Sequence, residues 1–222
     1  MGLLRVADQT SLLLTDEAIV RRVIAGEKEL FEIIVRRYNR MLFRVIRSYL
    51  TDRSDAQDAM QNTYLKAFGK LHQFQGSAAF HTWLVRIGIN EALLRLRDLK
   101  KVRKLYVDSP DINSNTISQV ADKQMDPEKT FIKSEAKLLL EHAIDGLPEK
   151  YRVIYVLKEI QGLEHNAIAE CLNISESNVK VRLHRARTLM KDALYKLSAQ
   201  SEVFEFGNRD CDAVVDFVMS RI

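Results

Sequence analysis

Residues 163–191 constrain the fold of this chain more than any other stretch, because they combine two short helical patterns with a tight turn. The first helical pattern runs from about His165 to Cys171, and the turn is Leu172-Asn173-Ile174. Ser175 is expected to cap the second helix, since its hydroxyl can accept a backbone N–H from the first turn. Two helices in this order, with so short a connection, predict a helix–turn–helix unit.

The second helix of this unit has two contrasting faces. Apolar residues recur at spacings of 4, 3 and 4, which places Val179, Leu183, Ala186 and Met190 on one side of a helix. At about 100° per residue, the rest of the surface is mainly polar and basic. It carries Ser177, Asn178, Lys180, Val181, Arg182, His184, Arg185, Arg187 and Lys191.

This outward surface has the composition that suits a helix in the major groove of DNA. Its central side chains would meet base edges, and the flanking cations would meet phosphates. Val181 is suited to a thymine methyl group, and Arg185 to a bidentate contact with guanine. The alternative is a solvated helix with ordinary surface cations. The motif alone does not say what kind of DNA-binding protein this is.

Charge is clustered along the chain, although the net charge of the 222 residues is only +4. Basic residues dominate 86–104 and 178–198, each with a net charge of +5, whereas 106–130 carries a net −3. Two basic patches with an acidic connector suggest one polyanion that is held at two places.

Several functional classes find no support in the sequence. Cys171 and Cys211 are the only cysteines, and neither belongs to a CxxC or Cys/His cluster, so no disulfide framework and no metal site are expected. The five histidines are scattered, and no phosphate-binding or nucleophile motif is present. We therefore expect no catalytic residue and no cofactor. Without a membrane span or a signal-peptide pattern, a cytoplasmic protein is expected.

Helical periodicity runs through most of the chain, and no strand pattern exceeds a few residues. The sequence therefore predicts an all-α protein with two small helical domains. The predicted segments are a leader (1–15), a first domain (16–104), a polar, acidic linker (105–125), a second domain with the helix–turn–helix (126–199) and a C-terminal extension (200–222) with a short helix from about Arg209.

Capping residues and helix breakers set the expected helix ends. The first domain should contain helices over about 16–25, 27–50, 55–70 and 79–104, and the second should begin with helices over 126–144 and 147–160. Thr15 or Asp16 is expected to cap the first helix, and Ser54 the third.

Two features of the first domain leave alternatives open. Asp55, Asp58, Gln61 and Asn62 should share one exposed helix face, which is either a solvated face or a docking face. Phe74, Phe80 and Trp83 lie beside a basic helix, where aromatic rings can hold unstacked bases of single-stranded nucleic acid. Alternatively, these three rings belong to the hydrophobic core.

The order of several motifs over residues 16–198 resembles an extracytoplasmic-function sigma factor of bacterial RNA polymerase, within the sigma-70 family. The motifs of the first domain are Gly26-Glu27-Lys28-Glu29-Leu30-Phe31, Arg37-Tyr38, Asp55-Ala56-Gln57-Asp58, Gln61, Thr63-Tyr64, Ala67-Phe68, Phe74-Gln75-Gly76, Phe80-His81-Thr82-Trp83-Leu84, Ile87 and Asn90. Those of the second are Leu147-Pro148-Glu149-Lys150-Tyr151-Arg152, Gly162-Leu163, Ser177-Asn178-Val179-Lys180 and His184-Arg185-Ala186-Arg187.

The resemblance implies three sets of binding residues in a protein that starts transcription and is not an enzyme. Core polymerase would be bound by Asp55, Asp58, Gln61 and Asn62. The melted −10 promoter element would be bound by Gln73, Phe74, Gln75, Gly76, Ser77, Thr82, Trp83, Arg86 and Asn90. The −35 duplex would be read by Ser175, Ser177, Asn178, Lys180, Val181, Arg182, His184, Arg185 and Arg187.

The same resemblance implies the partners. They are the largest and second-largest subunits of core RNA polymerase, promoter DNA and an anti-sigma factor, and the protein free of polymerase would be a monomer. Two other classes remain as alternatives: a helix–turn–helix regulator that recruits no polymerase, and a nucleic-acid enzyme. For the extension we expect docking on the protein or a partner, because it carries many large apolar residues: Phe204, Phe206, Val214, Val215, Phe217, Val218 and Ile222.

Overall fold

The computed structural model describes residues 14–105 and 127–200, together with Met219. Within these ranges every regular element is helical, in agreement with the predicted all-α class. The α-helices are α1 (Asp16–Ile24), α2 (Phe31–Arg47), α3 (Arg53–Gly69), α4 (Phe80–Leu105), α5 (Pro127–Asp145), α6 (Glu149–Tyr155), α7 (His165–Leu172) and α8 (Glu176–Gln200). Almost all of the predicted leader, linker and extension lies outside the described residues.

Short turns of other helical types complete the described elements. A 3₁₀ turn (Lys28–Leu30) precedes α2, so the single helix predicted from Glu27 is two elements in the structure. A second 3₁₀ turn (Leu71–Gln73) follows α3. A π-helical turn (Val156–Ile160) continues α6, and Gly162 ends it with a φ of +71°. Glycine tolerates this left-handed conformation without a steric penalty.

Side-chain caps begin three of the helices. Thr15 Oγ1 accepts the Ala18 N–H at 3.3 Å, and Ser175 Oγ accepts the Asn178 N–H at 3.3 Å, which confirms both predicted caps. The expected Ser54 cap of α3 is wrong. Asp52 caps this helix instead, with Oδ1 accepting the Asp55 N–H at 2.9 Å. Helix α3 therefore begins at Arg53, two residues earlier than the sequence predicted.

The first domain packs α1 to α4 around a core in which α4 contacts both α2 and α3. Gly88 allows the close approach of α2 and α4, since a Cβ atom built there would lie 2.6 Å from Leu42 Cδ1. The buried residues of α3 are Ala56, Ala59, Thr63, Tyr64 and Ala67. The opposite side of α3 consequently faces solvent.

The two domains pack against each other, with α7 lying across α4. Buried residues of both domains form one continuous apolar core, from Ile34 and Leu84 in the first to Leu157 and Ile168 in the second. At one edge, the Arg47 guanidinium donates two hydrogen bonds to the Asp145 carboxylate, at 2.8 and 3.1 Å. The surfaces of α4 and α7 that meet here are therefore covered in this arrangement.

Candidate nucleic-acid interface and docking face

The outward face of α8, which is expected to read the −35 duplex and is called the reading face from here on, is exposed in the structure. Its apolar stripe, Val179, Leu183, Ala186 and Met190, is between 0% and 3% exposed. Ser177, Lys180, Val181, His184, Arg185 and Arg187 are all exposed, and Val181 is 54% exposed. An exposed valine in the centre of a basic helix face supplies apolar contact area where a base edge would lie.

Local hydrogen bonds fix the first turns of α8. Besides capping the helix, Ser175 Oγ lies 3.0 Å from Ser177 Oγ. Asn178 Oδ1 accepts a hydrogen bond from Arg182 Nε at 2.8 Å, one helical turn along the same face. Arg182 is half-buried and is held along the helix, so its guanidinium has a defined position before any DNA is present.

Among the residues that the structure describes, an acidic partner distinguishes Arg187 from the other exposed cations of α8. The Arg187 Nε and Nη2 atoms both donate to Glu159 Oε1, at 3.0 and 2.7 Å. Glu159 lies in the π-helical turn after α6, 28 residues earlier in the chain. The positive charge of Arg187 is therefore partly neutralised within the protein.

The structure adds two residues beside Arg185 that the sequence pattern did not indicate. The Arg185 Nη1 atom lies 3.5 Å from the Tyr151 hydroxyl oxygen, which accepts the hydrogen bond, and Lys150 Nζ lies 5.0 Å from the Tyr151 ring centre. These two cations lower the pKa of Tyr151. Lys150 and Tyr151 begin α6, so a second helix extends the basic surface next to the reading face.

The predicted docking face of α3 is exposed at three of its four residues. Asp58, Gln61 and Asn62 are exposed, whereas Asp55 is half-buried. Arg95 of α4 donates through Nε and Nη2 to Asp55 Oδ1, at 2.9 and 2.6 Å. Because both bonds reach the same oxygen, they hold Asp55 in place and leave Oδ2 outside this contact.

A cleft of about 310 Å³ separates the exposed edge of α3 from α4. It is lined by Asp58, Ala59, Gln61, Asn62, Glu91, Leu94, Arg95 and Asp98. Glu91 is buried and binds Lys66 at 2.7 Å, while Leu94 is exposed. Sequence spacing indicated the α3 wall of this cleft but gave no signal for the α4 wall, which lies about 35 residues later in the chain.

The aromatic residues after α3 form a packed cluster. The Phe74 ring centre lies 5.2 Å from that of Phe80 and 5.6 Å from that of Trp83. Phe80 is buried and belongs to the core, whereas Phe74 and Trp83 are half-buried at its edge. Phe80 therefore fits the core alternative, and Phe74 and Trp83 pack against the core with part of their surface accessible, so base binding by these two rings stays a prediction.

The loop beside this cluster presents polar groups to solvent. Gln73, Gln75, Gly76 and Ser77 are all exposed. Gly76 adopts a φ of +71°, a conformation that strains residues with a side chain. The exposed amides and the edge of the aromatic cluster thus lie together at the start of α4.

The remaining predicted −10 residues lie along α4, close to the second domain. Thr82 is only 4% exposed, and its carbonyl oxygen accepts a hydrogen bond from the Cys171 thiol of α7, with the sulfur at 3.6 Å. Arg86 is exposed and lies 4.0 Å from Glu170, also in α7. Asn90 is exposed one turn further along. Cys171 of α7 thus lies against the backbone of the buried Thr82.

Cys171 lies in the middle of this contact. Burial raises the pKa of its thiol to about 12. The neutral thiol packs as a small apolar residue with one weak hydrogen bond. Across the described ranges, no group of three or more His, Cys, Asp or Glu side chains could hold a metal ion.

Comparisons with known proteins decide the family. Residues 34–102 match the sigma-70 region 2 family, and residues 137–190 match the sigma-70 region 4 family. The ECF RNA polymerase sigma-E factor of Haemophilus influenzae is 31% identical over 188 residues, which cover 83% of this chain and 97% of that protein. The chain belongs to the extracytoplasmic-function (ECF) sigma factors of the sigma-70 family.

Further relatives of this sigma factor agree. The RNA polymerase sigma-H factor of Pseudomonas aeruginosa is 30% identical over 183 residues, covering 82% of this chain and 95% of that one. In fold, the sigma factor is similar to RpoE from Bartonella quintana, solved with the anti-sigma factor NepR, with a TM-score of 0.60, 20% identity, and coverage of 74% of this chain and 96% of that chain.

A second solved structure with the same fold is CnrH, determined in complex with the cytosolic domain of CnrY. It has a TM-score of 0.56 and 22% identity, and covers 82% of this chain and 97% of that chain. As an ECF sigma factor, the protein directs RNA polymerase in the initiation of transcription and catalyses no reaction itself. Among the helices that the structure describes, none is sufficiently long and apolar to cross a membrane.

Proposed function

We propose that this sigma factor divides promoter recognition between two surfaces and binds core polymerase through a third. The outward face of α8 reads the −35 duplex, the 73–90 segment holds the melted −10 element, and α3 docks on the polymerase. The observation that carries the proposal is the exposed face of α8, where Lys180, Val181 and Arg185 face solvent above a fully buried stripe.

On the −35 element, the proposed roles follow from side-chain chemistry. Val181 contacts a thymine methyl group, and Arg185 forms the bidentate contact with a guanine, assisted by Tyr151. Lys180 and Arg187 contact phosphates, which fixes the register of the helix without selecting a sequence. Ser175, Ser177, Asn178, Arg182 and His184 complete the contact surface.

On the −10 element, the exposed loop at Gln73, Gln75, Gly76 and Ser77 receives a base that leaves the stack. Phe74 and Trp83 supply the apolar wall, and Arg86 and Asn90 extend the contact along α4. Thr82 reaches DNA only after α7 has moved away from α4, since Thr82 is buried and Cys171 of α7 lies against its backbone. Promoter binding by this route therefore requires the domains to separate.

Core polymerase is bound by the exposed polar face of α3. Asp58, Gln61 and Asn62 offer hydrogen-bonding groups at the edge of the cleft, and Asp55 offers the carboxylate that Arg95 holds. The partner is the largest polymerase subunit, while the second-largest subunit contacts other parts of the chain. The linker, outside the described residues, connects the two DNA-reading domains along the polymerase.

The remaining proposals concern an anti-sigma partner, the cellular location of the protein and its state when it is free of polymerase. Two structures of similar fold were solved with an anti-sigma factor and with the cytosolic domain of CnrY, which supports an anti-sigma partner for this protein. We place the protein in the cytoplasm, where RNA polymerase is found, as a monomer when it is not bound to polymerase.

The proposed function is tested by reconstituting holoenzyme from the purified protein and core polymerase. Transcription starts are mapped across the genomic DNA, and the promoter contacts are then footprinted on one strong promoter. We expect shared −10 and −35 sequences and protection of both elements. Tight, specific binding of an operator by the free protein, with no starts in the presence of core polymerase, would contradict the proposal and favour a simple DNA-binding regulator.

A further inference from the structure

The C-terminal half of α8 carries a second cleft, and Arg187 is the one residue of its lining that also belongs to the proposed −35 contacts. It has a volume of about 310 Å³ and is lined by Tyr155, Glu159, Arg187, Met190, Lys191 and Leu194. Met190 is buried at its base and Leu194 is 37% exposed at its edge. Leu194 lies 13 residues beyond Val181, about 20 Å further along the helix axis.

This end of the second domain has a small core of its own. Among the described residues, the buried members of this cluster are Ala143, Leu147 and Met190. Half-buried residues around them include Tyr155 and Ala193. Three buried side chains are few for an end where three helices meet, so additional apolar surface would stabilise it.

The chain itself supplies apolar residues directly after this cleft. Val203, Phe204 and Phe206 follow α8 within six residues of Gln200, and the turn-forming pair Gly207-Asn208 comes next. An extended chain covers about 3.3–3.6 Å per residue. Phe204 and Phe206 can therefore reach about 13–20 Å back from Gln200, whereas Leu194 and Met190 lie only about 9 and 15 Å back along the helix.

The charges of the two surfaces are complementary. Residues 201–222 contain five acidic and two basic residues, for a net charge of −3. On the side of the cleft, Lys191 is exposed, and Arg187 is bonded to Glu159. Glu202 and Glu205 lie on either side of Phe204 in the sequence, so they would come near Lys191 and Arg187 if the ring entered the cleft.

We propose that residues 201–222 fold back onto α8 and that the pair Phe204 and Phe206 fills the cleft between Tyr155, Met190 and Leu194. The segment thereby enlarges the small core of the second domain and shields its charged rim from other partners. Lys180 and Val181 stay uncovered, because they lie about 20 Å from Leu194 along the helix axis, whereas Arg187 is the one proposed −35 contact at the edge of the cleft.

Disulfide trapping in the full-length protein tests this docking. Cys211 is first replaced by serine, and Cys171 is retained because its burial and raised pKa make it unreactive. The test variant carries Leu194→Cys with Phe206→Cys. The matched control carries Val181→Cys with Phe206→Cys, which places the first cysteine on the same helix but on the reading face.

We expect the 194–206 pair to form an intramolecular disulfide at least about tenfold faster than the 181–206 pair, since docking raises the effective concentration of the two thiols. Equal rates for the two pairs would overturn the proposal, as would a faster 181–206 pair, which would place the segment on the reading face. A disulfide-linked dimer would also overturn it, because a second copy would then be the occupant.

Hydrogen exchange gives an independent measurement without cysteine substitutions. In the protein truncated after Gln200, amides around Met190–Leu194 should exchange several-fold faster than in the full-length protein, while those around Lys180 should be unchanged. The variant with both Phe204→Ser and Phe206→Ser should behave like the truncation. Identical exchange in all three proteins would show that the segment does not dock in the cleft.

Discussion

Arg187 and Lys180 both lie on the exposed surface of α8, but the charge of Arg187 is partly neutralised within the protein. Arg187 is bonded to Glu159, so binding a phosphate requires it to share or exchange this partner. No ion pair of Lys180 is found among the described residues. Substitution of Lys180 is therefore the better test of a pure phosphate contact.

The first prediction concerns the division of roles between Arg185 and Lys180. Arg185→Ala should relax the preference at one base pair of the −35 element by about 1–3 kcal/mol, because a bidentate contact to a base edge is lost. Holoenzyme binding to a set of −35 variants measures this. Lys180→Ala is the matched control and should weaken binding to all −35 sequences alike. The slope of log K against log salt concentration should fall in magnitude by about one. An equal loss on every sequence for Arg185→Ala would identify a phosphate contact.

The second prediction concerns Cys171 and alkaline pH. Its folded-state pKa of about 12 lies above the ordinary value of 9.0 because burial disfavours the thiolate. The folded protein therefore keeps this proton where the unfolded chain loses it. The resulting stability is fully present below about pH 9 and is lost as the pH rises towards 12, with a slope of up to about 1.4 kcal/mol per pH unit.

Urea unfolding between pH 8 and 10.5 measures this dependence. The free energy of unfolding should fall less steeply for Cys171→Ala than for the parent protein. Tyr38, Tyr49 and Tyr64, whose pKa values burial also raises, are present in both proteins and serve as the common background. Parallel pH profiles would show that Cys171 ionises in the folded state as it does in water.

At the scale of elements, α3 and α4 form the proposed docking face jointly. The helix α3 buries one side against α2 and α4, which leaves Asp58, Gln61 and Asn62 on the opposite side. The helix α4 contributes Arg95, which orients Asp55, and Leu94, which offers an exposed apolar group at the cleft. A polar helix face thus becomes a shaped surface only when the neighbouring helix is in place.

The third prediction follows for this face. Asp58→Lys combined with Gln61→Ala should lower the affinity for core polymerase by about 2 kcal/mol or more, since a charge contact at the interface is reversed. Thermal unfolding should be nearly unchanged, because both side chains are exposed. Glu29→Lys, an exposed charge reversal outside α3, is the control. Normal co-purification of the double variant with core polymerase would contradict the assignment.

At the scale of the whole molecule, the contact between the domains determines which residues DNA can reach. The hydrogen bonds of Arg47 with Asp145 join α2 to α5, and Cys171 and Glu170 of α7 face Thr82 and Arg86 of α4. The reading face of α8 remains exposed in this arrangement, whereas Thr82 does not. The residues proposed to contact the −35 and −10 elements are therefore unequally accessible in the free protein.

The fourth prediction tests this contact by charge reversal. Arg47→Glu should favour separation of the domains about fivefold, as expected for loss of a half-exposed ion pair worth about 1 kcal/mol. Trp83, the only tryptophan, lies next to Thr82, so its fluorescence should report the change. Binding of single-stranded −10 DNA by the free protein should increase in parallel.

The double variant Arg47→Glu with Asp145→Arg should restore the parent behaviour, because the ion pair is re-formed with opposite polarity. Glu32→Arg disrupts the pair of Glu32 with Arg36 on the surface of α2 and is the control. If all four proteins had the same Trp83 emission and the same affinity for single-stranded DNA, this ion pair would not control the contact.

Local sequence determined much of this protein. Helix ends at Thr15 and Ser175, the buried stripe of α8 and its exposed basic face all followed from residues within a few positions of one another, because caps and helical periodicity are local properties. The cap of α3 shows the limit of this reasoning. Asp52 and Ser54 are both good capping residues, local sequence does not distinguish them, and the structure has Asp52 as the cap.

Tertiary structure alone decided the contacts between distant residues. Arg95 holds Asp55 across 40 positions, Arg187 binds Glu159 across 28, and Cys171 meets Thr82 across 89. Periodicity shows which side of a helix is polar, but it does not show which other helix lies there. The sequence therefore predicted the candidate binding faces as sets of residues. Their charge pairing and the burial of Thr82 depended on how the helices and domains pack.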